Sequence, residues 1–271
     1  MVVTVHDVAV LRFPELFRPW HGGYARRVLP RFARRARAVI AISAATRDDV
    51  VELLGVPRER VTVVPNGLRP GIAPVAAESA RAREVRARYA LPERFVLTVG
   101  AVEPRKNLTR LLEAVRRAAA RPSGRELKLI HAGPAGWLAD DVARAAHALG
   151  NGRVQFLGSV STEDLAVLYS LADCCAYPSL WEGFGLPVLE AMACGCPVLT
   201  SRVSALPELV GDAALLVQPT STEEMEEGLL RLWTDQSLRA RLAQRGLERA
   251  REFSWERAAR ETVAVYNAAL A

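Results

Sequence analysis

The chain has 271 residues, half of them apolar and 24% charged, with a formal net charge of +6. This length allows one large domain or two modest ones, and the apolar share predicts a sizeable packed core. No run of eighteen apolar residues occurs, the start is unlike a signal peptide, and four cysteines are too few for a disulfide framework. We therefore expect a cytoplasmic protein with buried free thiols.

The positive charge is concentrated at the start of the chain. Residues 1–69 contain twelve arginines and six acidic residues, whereas the rest of the chain is balanced. No acid interrupts a cluster formed by Arg26, Arg27, Arg31, Arg34, Arg35 and Arg37. The cluster suits a peripheral contact with the inner face of an anionic membrane, or a phosphate-bearing acceptor. The alternative is a solvated face in an arginine-rich chain, and without a nucleic-acid motif we expect no nucleic-acid partner.

Apolar, β-branched runs alternate with helical patterns along the whole chain. They predict strands at 2–5, 38–42, 61–64, 95–99, 127–132, 153–157, 174–177, 197–200 and 213–217. Amphipathic stretches such as 108–119 and 164–171 separate them, and Ser161 and Ser221 begin predicted capping boxes. The alternation predicts right-handed βαβ units, and hence an α/β fold with parallel sheets.

A break in composition at residues 65–94 divides the chain. We predict an incomplete N-terminal unit at 1–69, a complete doubly wound domain at 70–253 and a last helix at 254–271. The first unit has about three strands, whereas a doubly wound domain normally has five or more. We expect a fragment or a late start that lacks an opening half-domain, or a partner that completes the sheet. An open half sheet also favours self-association.

The most distinctive stretch reads E-G-F-G-L-P-V-L-E, from Glu182 to Glu190. It follows a predicted buried strand, and its glycine turn leads into a helix through Gly183, Phe184, Gly185 and Leu186. Backbone N–H groups at such a helix start can face an anion, and Glu190 can accept hydrogen bonds from a ribose diol. The stretch predicts a nucleotide site; the alternative is a turn into a core helix with both glutamates solvated.

This stretch, with the A-M-A-C-G-C-P-V that follows it, resembles the signature of retaining GT-B glycosyltransferases of family 4. In that family the second glutamate, here Glu190, binds the donor ribose, and the first, here Glu182, lies by the donor sugar. The resemblance implies two Rossmann-like doubly wound sheets, the N-terminal one incomplete, and a last helix that crosses back to the first domain. It also implies hexosyl transfer from a nucleotide sugar, with GDP-mannose among the candidates, to a glycan or lipid-linked acceptor with retention of configuration.

Two adjacent cations, Arg105 and Lys106, follow the strand at 95–99 and its terminal Gly100. Ligands bind outside the carboxyl ends of the strands in open parallel sheets, and this pair suits a diphosphate. The two residues resemble the diphosphate-binding pair of the family; the alternative is a solvated basic loop. We expect no metal and no cofactor, because no Asp-x-Asp element occurs in the expected context and these cations can neutralise the leaving diphosphate.

His6, which follows the first strand, resembles the histidine of the family that contacts the donor sugar or the reaction centre. We therefore predict His6 and Glu182 as catalytic residues. Gly133 and Leu157 follow two later strands. The family has a small glycine-containing turn at the position of Gly133, so the resemblance implies that Gly133 lines the nucleotide pocket, and we expect Leu157 beside the base. We expect His131 in the sheet packing and Trp181 at the cleft rim.

Other functions remain open at this point. The first is a catalytically inactive fragment or subunit that binds a nucleotide or nucleotide sugar. A second is another GT-B enzyme, such as an epimerase or a phosphorylase, although neither Lys106 nor Lys128 lies in a pyridoxal-binding motif. A third is a Rossmann dehydrogenase, which the absence of an early G-x-G-x-x-G disfavours.

Overall fold

The computed structural model describes residues 1–17, 19–136, 139–150 and 152–270. Within these ranges the strands form two parallel sheets. The first, which we call the N-terminal sheet, contains β1 (Val2–Val5), β2 (Ala38–Ala41) and β3 (Val61–Val63) in the order β1-β2-β3. Its register places Val5 beside Ala41 and Ala41 beside Val63.

The second sheet, the C-terminal sheet, has six strands. They are β4 (Val96–Val99), β5 (Leu129–Ala132), β6 (Val154–Phe156), β7 (Cys174–Tyr177), β8 (Val198–Ser201) and β9 (Ala214–Val217). Their order is β6-β5-β4-β7-β8-β9, so the direction of winding reverses between β4 and β7. A crevice at such a switch point, outside the carboxyl ends of the strands, is the usual ligand position. All nine predicted strands are confirmed, with ends that agree to within two residues.

Helices connect the strands in chain order. Those of the N-terminal part are α1 (Ala9–Arg12), α2 (Pro19–Arg35), α3 (Ala44–Leu54) and α4 (Ala80–Arg88). The later ones are α5 (Leu108–Ala120), α6 (Ala139–Ala148), α7 (Thr162–Leu171), α8 (Leu186–Ala193), α9 (Leu206–Val210), α10 (Thr222–Thr234), α11 (Gln236–Ala250) and α12 (Trp255–Leu270). Among the described helices, none is long and apolar enough to span a bilayer.

Serine side chains cap the first turn of several helices. The side-chain oxygens of Ser161 and Ser221 each accept a hydrogen bond from the backbone N–H three residues later, at 3.1 Å, as predicted. Ser43 caps α3 in the same way, with a distance of 2.9 Å from its Oγ to the backbone nitrogen of Thr46. These caps satisfy backbone donors that a helix start would otherwise leave unpaired.

Both faces of the C-terminal sheet are buried. Leu97 and Ile130 belong to the core cluster on one face, together with apolar residues of α7 and α8. Leu129 belongs to the cluster on the other face, with residues of α5 and α10. Parallel strands covered on both faces require near-continuous apolar sequence, which explains the runs in this chain. The cysteines are buried free thiols, as expected: Cys174, Cys175, Cys194 and Cys196.

The last helix, α12, packs on the N-terminal sheet. Its Ala258 and Val265 share a buried cluster with Ile40 of β2 and with Val64. The end of the chain therefore packs against the sheet formed by its beginning. Ala271, at the end of the predicted last helix, lies outside the described residues. The predicted limits at residues 69 and 253 stay predictions.

A hinge region joins the two sheets beside the start of α12. The backbone nitrogen of Leu68 donates to the carbonyl oxygen of Phe253 at 3.2 Å. A Cβ on Gly67 would lie 2.3 Å from the backbone nitrogen of Trp255, so only glycine fits there without movement. The chain leaving the N-terminal sheet and the chain returning to it therefore cross in direct contact.

Candidate functional site

The E-G-F-G stretch lies at the carboxyl end of β7, beside the switch point. The strand ends at Tyr177, and α8 begins at Leu186 after Gly185, whose φ of 105° is left-handed. A Cβ on Gly185 would also lie 2.7 Å from Leu206 Cδ2. The left-handed backbone favours glycine here, and a larger residue would also have to displace the Leu206 side chain. The turn and helix start are therefore formed as the sequence predicted.

Glu182 is buried among hydrogen-bond donors. Its Oε2 accepts from Arg105 Nη1 at 2.7 Å, and its Oε1 accepts from Lys106 Nζ and the Tyr177 hydroxyl, both at 2.8 Å. Burial alone would raise the pKa of Glu182, but the nearby charges of Lys106 and Arg105 outweigh it and hold this pKa below its usual range. Glu182 is therefore ionised at neutral pH, and the alternative that it is a solvated residue is wrong.

Arg105 and Lys106 lie on a short 3-10 turn that follows β4. Their side chains are only 18% and 17% exposed, so the alternative of a solvated basic loop is wrong. Burial lowers the pKa of Lys106 despite the opposing charge of Glu182. The amide of Asn107 fixes the turn, because it donates to the carbonyl oxygens of Pro178 at 3.0 Å and Pro219 at 2.7 Å. The loops after β4, β7 and β9 are thus tied together.

Glu190, the second glutamate of the motif, has a separate environment on α8. It is 1% exposed, and its Oε2 accepts from the Tyr169 hydroxyl at 3.2 Å. Arg69 Nε lies 3.0 Å from Oε1 as an ion pair but without hydrogen-bond geometry, so Oε1 lacks a hydrogen-bond partner in the part of the chain described. Burial raises the pKa of Glu190 against the opposing effect of Arg69. Glu190 is also not solvated, and its Oε1 can accept a further hydrogen bond as far as the described residues show.

His6 reaches this turn from the N-terminal sheet. A Cβ on Gly183 would lie 2.3 Å from the carbonyl oxygen of His6 and 2.9 Å from Asp7 Cβ, so the two segments are in direct contact. The His6 side chain is exposed. Asp7 Oδ1 accepts from the backbone nitrogen of Ala9, the first residue of α1, at 3.1 Å. The structure therefore brings His6 beside the glycine turn that carries Glu182.

The remaining predicted residues line neighbouring strand ends. A Cβ on Gly133 would lie 2.0 Å from the carbonyl oxygen of Gly100, so these two glycines are packed backbone to backbone. The backbone nitrogen of Leu157 donates to the carbonyl oxygen of His131 at 2.9 Å. His131 itself is buried, with its ring 5.3 Å from that of Phe156, as expected for sheet packing.

Three residues of the site were not singled out from the sequence. Tyr177 ends a strand at the carboxyl edge of the sheet, which is the criterion that selected Gly100 and Leu157, so it could have been found. Tyr169 and Arg69 carry no local signal, because their contacts with Glu190 depend on how distant segments pack. Among the described residues, we find no group of three or more His, Cys, Asp or Glu side chains that could hold a metal ion.

Comparison with known proteins defines the family. Residues 82–249 match the model of glycosyl transferases group 1, and residues 1–71 match that of glycosyltransferase family 4. The chain therefore belongs to the glycosyl transferases group 1 family. It is 34% identical over 268 residues to O-antigen chain mannosyltransferase B of Escherichia coli, a match that covers 98% of this chain and 69% of that protein.

Two further matches show how much of a longer relative the chain spans and which solved structure has a similar fold. The chain is 30% identical over 223 residues to the serotype-specific mannosyltransferase WbdA of Escherichia coli, covering 82% of this chain but 27% of that protein. Sucrose-phosphate synthase from Thermosynechococcus elongatus matches with a TM-score of 0.80 and 27% identity, over 98% of this chain and 67% of that one. The fold is GT-B, with two Rossmann-like sheets of three and six strands, as predicted.

Neutralising the two glutamates should change stability in opposite directions. The native pKa of Glu182 is below its usual 4.5, so Glu182→Gln should be less stable than the parent at about pH 7, and the deficit should disappear as the pH falls through that native pKa. The native pKa of Glu190 is above 4.5, so Glu190→Gln should be more stable at about pH 7, and this gain should vanish below pH 4.5. Thermal unfolding across this range measures both, and changes of the same sign would contradict the assignment.

Proposed function

We propose that this chain is a retaining glycosyltransferase that moves a hexosyl group from a nucleoside diphosphate sugar to a glycan or lipid-linked acceptor. The observation that carries the proposal is the buried pair Arg105 and Lys106, bound to Glu182 across the switch point of the sheet. Two of the matched relatives are named mannosyltransferases, which makes GDP-mannose the first donor to test.

Contacts within the protein organise the proposed diphosphate site. Arg105 and Lys106 are already partly desolvated and held by Glu182, so a diphosphate would meet ordered donors rather than mobile side chains. The N-terminus of α8 adds the positive end of a helix dipole at the same loop. Gly133 and Gly100 are packed backbone to backbone at the neighbouring strand ends, and in the proposed complex a nucleoside would lie beside them with its ribose near Glu190.

In the proposed reaction the bond between the anomeric carbon and the diphosphate oxygen breaks as the acceptor oxygen attacks the same face. Negative charge grows on the departing diphosphate, and Arg105 and Lys106 stabilise it there. The diphosphate takes the acceptor proton, and configuration is retained. His6 and Glu182 flank the glycine turn and would contact the sugar being transferred. No metal or cofactor is required in this scheme.

A binding-only protein, which would hold the nucleotide sugar without turnover, is the second candidate, and the transferase names of the matched relatives disfavour it. It requires the same cation pair and the same ribose contact, so binding alone does not separate the two functions. Release of nucleoside diphosphate from GDP-mannose in the presence of a membrane extract does separate them. Release above the level without the chain supports transfer, and its absence together with tight nucleotide binding supports the second candidate.

Nucleotide affinity should depend on the two parts of the site in different ways. Glu190→Ala should weaken binding by about 1–3 kcal/mol, because hydrogen bonds from ribose to a charged acceptor are lost. Replacing both Arg105 and Lys106 with alanine should weaken diphosphate binding more than nucleoside binding, and the parent preference for diphosphate should fall with salt. Calorimetric titration with UDP, GDP, ADP and the nucleosides measures these effects.

The matched control for the cation pair is the double alanine variant of Arg116 and Arg117, which removes the same charge from the exposed face of α5. It should bind nucleotides like the parent. Equal losses of nucleoside and diphosphate affinity in the Arg105 and Lys106 variant would make that pair structural. Unchanged affinity in Glu190→Ala would remove Glu190 from the site.

We also propose a peripheral membrane contact through α2. The arginines of the Arg26–Arg37 cluster are exposed, and Phe32 among them is 59% exposed. Binding to vesicles with anionic lipid should exceed binding to neutral vesicles, and alanine at Arg26 and Arg27 should weaken it by about 1 kcal/mol per charge. Cosedimentation measures this, and equal binding to both vesicle types would exclude the contact.

A further inference from the structure

A carboxylate of the C-terminal part caps a helix of the N-terminal part. Glu208, on α9, accepts from the backbone nitrogen of Ala44 through both oxygens, at 2.9 and 3.1 Å. Ala44 is the first residue of α3, where backbone N–H groups lack partners inside the helix and where the dipole favours a negative charge. The contact is therefore a charge-assisted bond between the two halves of the molecule.

The same helix start also holds the glycine turn of the proposed donor site. Thr46 Oγ1 donates to the carbonyl oxygen of Gly183 at 3.1 Å, and this bond is buried. Ser43 Oγ in turn donates to Thr46 Oγ1 at 3.0 Å. The first turn of α3 thus contacts both α9, through Glu208, and the loop that carries Glu182.

Hydrogen bonds within the C-terminal part hold the backbone of Glu208 in place. Arg249 donates through Nη2 to the carbonyl oxygen of Glu208 at 2.7 Å and through Nε to that of Leu209 at 2.9 Å. The loop before α9 is bound to the site, since the backbone nitrogen of Glu182 donates to Ser204 Oγ at 3.0 Å. The carboxylate therefore projects from a segment that hydrogen bonds hold to the rest of the C-terminal part.

Fixing the start of α3 also fixes His6. The helix follows β2 after two residues, and β2 pairs with β1 so that Val5 lies beside Ala41. His6, the next residue after β1, is packed against Gly183 with no room for a side chain between them. A shift at Ala44 would therefore change the position of His6 over the glycine turn.

We propose that Glu208 is a positioning residue, which couples α3 to the C-terminal part and thereby holds the end of β1 and His6 against the glycine turn. Its effect on turnover rests on the proposed function, whereas the coupling itself does not. Without the carboxylate the two halves would still fold, because each keeps its own core, but their relative orientation would be less strictly defined. Nucleotide binding, which uses groups of the C-terminal part, would be largely retained.

Hydrogen exchange tests the coupling in Glu208→Ala and Glu208→Gln, with Glu163→Gln on the exposed face of α7 as the matched control. Exchange of the amides at 44–46 should be faster by tenfold or more in Glu208→Ala, less so in Glu208→Gln, whose amide oxygen still accepts, and unchanged in the control. Unchanged exchange in Glu208→Ala would overturn the proposal whatever the function is. If Glu208→Ala fails to fold, Glu208→Gln and Thr46→Val carry the same comparison.

Kinetics test the positioning role. With GDP-mannose, Glu208→Ala should lower kcat by about tenfold or more, while KM and the calorimetric affinity for GDP should stay within about twofold of the parent. Thr46→Val should lower kcat in the same way, and the double variant should lose less than the product of the single effects. Faster exchange with unchanged kcat would overturn the positioning role. A parent that binds no nucleotide would refute the proposed function and leave the exchange result standing.

Discussion

The candidate site depends on one buried carboxylate, Glu182, which balances two cations from a different loop. Arg105 and Lys106 follow β4 and Glu182 follows β7, so their ion pairs join the strands on either side of the switch point. Removing one partner of such a set leaves an uncompensated buried charge, which is strongly destabilising. The Tyr177 hydroxyl is a further, neutral donor to Glu182 Oε1, the oxygen that Lys106 also contacts. Contacts within the fold itself therefore order both cations.

The charge of Glu190, the second glutamate, is less completely neutralised than that of Glu182. In the part of the chain that the structure describes, Glu190 has one cation partner, Arg69, whereas Glu182 has two. Glu190 is buried, one of its oxygens has no hydrogen-bond partner among the described residues, and its ion-pair partner Arg69 is itself 47% exposed. An incompletely satisfied buried carboxylate lowers stability. Ribose hydroxyls would supply the missing donors in the proposed complex. Because Arg69 lies beside the hinge, Glu190 and the junction of the two sheets are adjacent.

The sequence predicted the strands well because buried parallel strands require apolar, β-branched runs that are visible without tertiary information. It also predicted Glu182, Glu190, Arg105 and Lys106 as site residues, since all follow strands of one sheet and match a family motif. It did not predict how the charges are partnered, and the solvated alternatives for these residues were wrong. Contacts such as that between Glu208 and Ala44 join segments far apart in the chain. They depend on how the two sheets are oriented, which no local pattern encodes.

The most direct test of the account is a crystal structure of this chain with GDP. We expect the diphosphate within hydrogen-bond distance of Arg105 and Lys106, and the ribose hydroxyls on Glu190 with Arg69 moved away from Oε1. Glu208 should still contact the start of α3. A nucleotide bound elsewhere, or bound here with the Glu190–Arg69 pair intact and the diphosphate away from both cations, would contradict the account.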